Sequence, residues 1–374
     1  MLMIVKAIDF RLKILISNAY LATMIPSIRK WKWILLALLC IVLLYSVPAS
    51  FWEQYYASSF FILVRKLLDG LGQLIPFPVF ILFLTLMLIL AIRWFLHFFK
   101  EKPKPFLQRC FTLFSFFGFM LSLFFLLWGF NYGRIPLEDK LKLSIKPLSN
   151  EQLIQETEAT IQNLSALRKS IKSDSGSIPQ IIFINNIDNK CQSALDSTLH
   201  QFNYPFSSNL NAYFVPNDFL MVFGIGGIYI PFTGEGCVDN AVYYSRKPFY
   251  FIHEMAHANG FTQEADCNFL AYVSCIQSKD ISYQYCGELN YLLYLLADLK
   301  ERNKSSYDKL LDTAPKLIQY DLNEIKTYYQ EHQFKTAKIG DAINNLYLKF
   351  MGVKDGVKNY DKMVLLVYAW KNSK

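Results

Sequence analysis

Histidine is scarce in this sequence, five in 374 residues. Among the seven cysteines there is no Cys-x-x-Cys pair and no cysteine–histidine cluster at metal-ligand spacing, which excludes the common cysteine zinc sites. Acidic residues are nearly missing from the first 130 positions, which hold 4 Asp+Glu against 13 Lys+Arg; the rest of the chain holds 26 against 25. The formal charge of +8 therefore lies in the N-terminal third, and a nucleic-acid partner is not expected. No phosphate-binding G-x-x-x-x-G-K-[ST] loop occurs. "GVKDGVKNYDK" repeats Gly-Val-Lys but reads as a turn and a helix start, so no nucleotide cofactor is expected. Internal repeats and low-complexity segments are also lacking.

What is abundant is apolar: 53% of residues are hydrophobic and 16% aromatic. Three runs have the length and composition of membrane helices, over residues 31–49, 74–93 and 110–130. Trp31, Trp33, Trp52 and Trp128 sit where interfacial anchors belong. None of the runs has a central ionisable residue, which argues against an ion path. Between the first two, residues 58–74 have helical apolar spacing but carry Arg65, Lys66 and Asp69, as in an amphipathic helix lying at a bilayer surface. Basic residues cluster before the first run (Lys6, Arg11, Lys13, Arg29, Lys30, Lys32) and around the loop after the second (Arg93, Lys100, Lys102, Lys104, Arg109). That bias places the N-terminus and this loop in the cytoplasm and everything after residue 130 outside, with the lipid bilayer as partner. A cleaved signal peptide ending near "VPAS" is the alternative for the first run, disfavoured by its long basic leader. The first 23 residues read as an extension before a compact start at Met24.

The sequence thus divides into a membrane region, 1–130, and an outer domain, 131–374, large enough for its own core. The outer domain reads as α+β and helix-rich. A helix over 149–173 with Ser149 or Asn150 as N-cap is followed by a short strand over 178–186, a helix from residue 189, and a strand-rich stretch over 212–244. Helices then follow over 248–259, 264–278, 282–302, 305–331 and 336–350, with a last one near the C-terminus. Cys191, Cys237, Cys267, Cys275 and Cys286 would permit one or two disulfides in an oxidising compartment.

Two of the five histidines form an HExxH pattern, His253-Glu254-x-x-His257. The spacing puts both imidazoles on one helix face, able to share one tetrahedral Zn2+, with Glu254 placed to take a proton from a water. Pro248 suits the first helical turn and Gly260 a left-handed end, so the chain turns back just after the second histidine. Gln263 stands where some proteases carry a third histidine, and an amide is a poor zinc ligand. Glu264 and Asp266 are the candidate third ligands; lying about 200° apart around a helix, they cannot both face one ion. Glu264 is favoured because Glu264-Ala265-Asp266-Cys267-Asn268 has the E-x-x-A-D shape of glutamate-ligand zinc peptidases, with Cys267 and Asn268 in its last two places. Asn268 would then support a histidine from outside the ligand set.

Other residues have two readings each. "GIGGIYIPFTGE", with Gly227, Ile228 and Tyr229, is either the strand that aligns an extended substrate or an ordinary core strand and turn. Glu235 at its end is a candidate to brace the metal ligands. Tyr272, two turns beyond Glu264, is either an oxyanion stabiliser or a buried structural tyrosine. His200 and His332 have no metal-spaced partner.

"HEMAHANGFTQEADCNFLAY" resembles the signature of the bacterial family known as domain of unknown function 3810, membrane-anchored proteins regarded as zinc peptidases. "WGFNYGRIPL", "GIYIPFTGE" and "GVKDGVKNYDKMV" fit the same family in the same order. The resemblance implies a zincin-like outer domain, one zinc ion on His253, His257 and Glu264, Glu254 as general base, and a protein or peptide substrate in the cell envelope. The rival expectations are a zinc amidase of cell-wall material and a membrane protein whose metal only braces the fold.

Overall fold

The computed structural model describes residues 28–75, 77–100, 106–171, 176–207, 209–332 and 362–373. The expected helix over 336–350 and most of "GVKDGVKNYDK" fall outside these residues, as do the first 23. The described residues are helix-rich with one small sheet, and the contacts divide the chain into two units: residues 1–48 with 81–130, and residues 49–80 with 131–374.

The first unit holds α1 (Ile28–Ser46), nearly all of α3 (Val79–Lys100) and α4 (Phe106–Leu127). Ala37, Cys40 and Leu44, on one face of α1, are buried. Gly118 of α4 lets the backbone of α1 approach; a Cβ there would sit 2.8 Å from the Trp33 carbonyl oxygen. Trp31 packs on Phe111 and Trp33 on Phe119, each with ring centres 4.8 Å apart. Among the described residues, two helices are long and apolar enough to cross a membrane, Val79–Leu96 and Gln108–Leu127. A third span exists only if Trp31–Ser46 is counted together with Ala49–Gln73, and the two are bent by 107°.

The second unit begins with a wide helical turn over Trp52–Phe60 and α2 (Phe61–Gln73). Here the structure differs from the amphipathic helix expected with its charges in water. Arg65 and Asp69 are buried and pair with each other, Lys66 is exposed, and Leu63, Leu67, Leu71 and Leu74 point outward. Arg65 also donates to Tyr229 Oη (3.0 Å) and to the Gly234 carbonyl (2.8 Å), while Asp69 accepts from Ser207 Oγ (2.6 Å). The charges lie inside because their partners are inside, some 140–170 residues along the chain.

After residue 130 come α5 (Asn150–Ser170), α6 (Ile187–Gln201), β1 (Ala212–Val215), β2 (Gly227–Ile230), β3 (Glu235–Asp239), α7 (Lys247–Ala258), α8 (Glu264–Gln277), α9 (Ile281–Arg302), α10 (Lys304–Thr313), α11 (Lys316–Glu331) and α12 (Lys362–Lys371). Ser149 caps α5 in a reciprocal box with Gln152. The strand expected over 178–186 is instead a helical turn, Ile181–Ile184. It is set off by Pro179 and by Asn186 at φ +56°, and Phe183 is buried against Tyr244 and Tyr285. The single helix expected over 305–331 breaks between α10 and α11 at Pro315, which disfavours helical geometry at Ala314. None of the seven cysteines is bridged, so the one or two disulfides that the sequence would permit are not formed in this structure.

The sheet has the order β1-β3-β2, with β1 parallel and β2 antiparallel to β3. Central β3 is wholly buried, and α7 packs on the sheet. Helix α8 runs through the middle of the unit between α6, α7, α9 and α12, so every residue from 265 to 275 is buried.

Candidate metal centre

Helix α7 ends as its glycine foretold. Gly260 has φ +83°, its N–H donates to the His257 carbonyl (2.9 Å), and Phe261 N–H reaches back to Ala256 (3.2 Å). This is a Schellman ending. It also aims the Phe261 carbonyl at His257, whose Nδ1–H donates to it at 2.8 Å. The other histidine is held similarly: His253 Nδ1 lies 2.8 Å from Asn268 Oδ1, one turn into α8 from Glu264. A carbonyl can only accept, so both Nδ1 atoms carry a proton, and the Nε2 lone pairs that a metal would take are turned toward Glu264.

These lone pairs converge with a carboxylate. The two Nε2 atoms are 3.1 Å apart, His253 Nε2 is 3.1 Å from Glu264 Oε2, and His257 Nε2 is 3.7 Å from Glu264 Oε1. A tetrahedral ion with ligand bonds of about 2.0–2.1 Å requires ligand atoms about 3.3–3.4 Å apart, so the three groups fit one Zn2+ with little movement. Cys267 also lies near, with Sγ 3.3 Å from His257 and 3.4 Å from the Phe261 carbonyl. His253, His257 and Cys267 also lie close enough together to hold an ion, but Cys267 meets His257 on its Nδ1 side, away from the Nε2 atom that faces Glu264. Burial pushes its thiol up to about 12 even though His257 pulls the other way, which disfavours the thiolate that binds metal.

The site attracts positive charge. Burial alone would raise Glu264, but the two imidazoles hold it well below the usual carboxylate range. Burial opposes protonation of His257, yet Cys267 and Glu264 together lift it well above its ordinary value. Glu254 stands apart. Burial pushes it up to about 7 against the pull of both histidines, and its Oε2 has no hydrogen-bond partner among the described residues.

Glu254 faces the sheet. A side chain on Gly227 would clash with its carboxylate, and a Cβ on Gly236 would lie 3.0 Å from its Cβ. Both glycines thus let the backbones of β2 and β3 come up against α7. Of the other strand candidates, Ile228 points outward and is exposed. Tyr229 turns in, where its hydroxyl meets Arg65.

A family comparison adds to this geometry. The family described as "Protein of unknown function (DUF3810)" matches residues 56–368. The chain belongs to the DUF3810 family. No curated protein and no solved structure matches it.

In this DUF3810 chain three expected site residues lie elsewhere. Tyr272 is buried between α8 and α9 and donates to Glu288 Oε1 (3.3 Å), because eight residues at 100° each carry it about 80° from the direction of Glu264. Glu235 binds the first turn of α3, accepting from Val79 N–H (2.7 Å) and Phe80 N–H (2.6 Å). Asp266 lines a cavity of ≈ 220 Å³ with Arg134, Glu138, Tyr204 and Lys362. Two residues that sequence reading missed stand beside the site. The Tyr294 hydroxyl lies next to Asn268 and near Glu264, and Tyr250 lies near Glu254 and against Gly226. Both are aromatic residues on apolar helices, and nothing in their local sequence marks them.

Asp266 gives a pH test. Burial lifts its carboxyl to about 7, with Lys362 working in the opposite direction. Since the folded value lies above the unfolded one, the folded state favours the proton. The stability that this one group contributes is fully present below about pH 4 and is lost as pH rises to about 7, by an amount on the order of a few kcal/mol. Asp266→Asn should therefore raise the melting temperature by several degrees at pH 8 and hardly at all at pH 4.5. Equal shifts at the two pH values would show that Asp266 is not held protonated.

Proposed function

We propose that this chain is a membrane-anchored zinc metallopeptidase, with a zincin-like outer domain that hydrolyses peptide bonds in proteins or peptides of the cell envelope. The observation that carries the reading is the convergence of His253 Nε2, His257 Nε2 and the Glu264 carboxylate at tetrahedral spacing, each imidazole fixed in the metal-binding tautomer by a carbonyl. A zinc ion held there would supply Lewis acidity to a water and to the scissile carbonyl. Glu254 Oε2, buried and unpartnered, takes the proton of the attacking water and then delivers it to the leaving amine. Its elevated pKa suits that exchange near neutral pH, and the positive charge of the ion would lower it. The edge of β2 that does not face β3 pairs with no strand among the described residues, and Gly227 brings that backbone up to Glu254. An extended peptide adding to this edge would lie across the site. With the N-terminus in the cytoplasm, as the basic residues suggest, the site faces outward.

Metal analysis of the purified full chain should find one zinc per molecule. His253→Ala and Glu264→Ala should lose it, whereas Asp266→Ala should keep it. Failure of the wild-type protein to bind zinc stoichiometrically would end the enzyme reading.

A further inference from the structure

Helix α2 is amphipathic in reverse. Its charged side, Arg65 and Asp69, is buried in the second unit, and the ridge it leaves outside is Leu63, Leu67, Leu71 and Leu74, each more than half exposed. Residues three or four apart line one face, so this is a single stripe and not scattered leucines. A second apolar projection comes from the loop joining β1 to β2, where Phe219 and Phe223 are about half exposed. This loop is held in place: the Asp239 carboxylate accepts from the N–H groups of Asp218, Leu220 and Met221 at 2.7–3.0 Å.

The loop packs on the start of α3, and α2 precedes that start in the chain. Leu220 and Ile225 of the loop pack with Phe80, and Glu235 caps the N–H groups of Val79 and Phe80. Val79 is also the first residue of a helix apolar enough to cross a bilayer, and α2 ends only six residues before it. Six residues reach about 20 Å at most, so the C-terminal end of the leucine ridge lies within about 20 Å of Val79. The loop then runs straight into Gly226 and Gly227, beside Tyr250 and Glu254. Arg65 completes the link, since it holds both Tyr229 of β2 and Gly234 of the turn that follows.

We propose that the lipid bilayer surface covers this ridge and the Phe219–Phe223 projection, so that the strand beside Glu254 works at the headgroup layer. The substrate is then polypeptide lying at the membrane surface, the juxtamembrane stretch of an anchored protein, and not protein taken from free solution. The substrate assignment rests on the peptidase reading above; the lipid-covered face does not. A second copy of the chain or a soluble partner on the ridge is the competing occupant. The short connection from α2 to a helix apolar enough to span a bilayer favours lipid.

The test uses the full chain in lipid nanodiscs. The photo-crosslinker benzoylphenylalanine replaces Leu67 or Phe223, or Tyr320 on α11 as an exposed control. Irradiation should give a mass increase of one phospholipid at 67 and 223 and none at 320. No lipid adduct at either position, or adducts to a second copy, would overturn the proposal. In a second arm, a mixed peptide library is offered free or acyl-anchored in the same bilayer, to wild type and to Glu254→Gln. Glu254-dependent cleavage should be at least ten times faster for the anchored peptides. Equal rates would overturn the substrate assignment. Lipid adducts without Glu254-dependent cleavage of either set would sink the peptidase reading and leave the lipid-covered face standing.

Discussion

Glu254→Gln should bind zinc and melt like the wild type, yet cleave peptides about 10²–10⁴-fold more slowly, the range attached to a positioned general base. Glutamine keeps the size of the side chain and removes only its capacity to accept and return a proton. The fold should tolerate it well, because burial already pushes Glu254 towards its neutral form and no hydrogen bond to Oε2 is lost. Zinc should stay because the ligand atoms belong to His253, His257 and Glu264. The comparison needs zinc content, a melting curve and the cleavage rate of a mixed peptide library on the same preparation. Cleavage at the wild-type rate would rule out Glu254 as the base, even if zinc were confirmed.

The second large effect is one of stability. Arg65→Met should destabilise the protein by about 3–5 kcal/mol, the usual consequence of removing one partner of a buried ion pair. The methionine fills the space but leaves Asp69 with only Ser207, and it strips donors from the Tyr229 hydroxyl and the Gly234 carbonyl. In a thermal melt this corresponds to a fall of about 10 °C for a unit of this size. Adding Asp69→Leu should recover much of the loss, since a buried pair replaced as a whole by apolar residues is often neutral. A melting temperature within 2 °C of wild type for the single variant would mean that the pair does not hold α2 in place.

Legibility from sequence followed the range of the interactions involved. The convergence of His253, His257 and Glu264 was readable because it is built within twelve residues. The HExxH spacing, the terminating Gly260 and Glu264 in the first turn of the next helix are local features with local rules. Its supports were readable only in part. Asn268 could be inferred from its offset of four from Glu264, but the Phe261 carbonyl could not, because backbone groups leave no mark on composition. Tyr272 and Tyr294 exchanged places for a related reason: which aromatic faces the histidines depends on how α8 and α9 pack. The largest difference, the inward charges of α2, lay beyond any periodicity argument. Arg65 and Asp69 among leucines read as a wetted polar face until Tyr229, Gly234 and Ser207 supply partners from far along the chain.

The carbonyl of Phe261 has two obligations. It belongs to the turn that ends α7, and it fixes the ring of His257. A side chain on Gly260 would strain that turn at φ +83° and press on Asn131 and Phe61, each 2.8 Å from the added carbon. The displaced carbonyl would release the imidazole in the same movement. Thermal stability and the zinc affinity proposed for this site are therefore not independent at this corner of the molecule. Along a series of substitutions at residue 260 they should decline together, and selection for either one preserves the other.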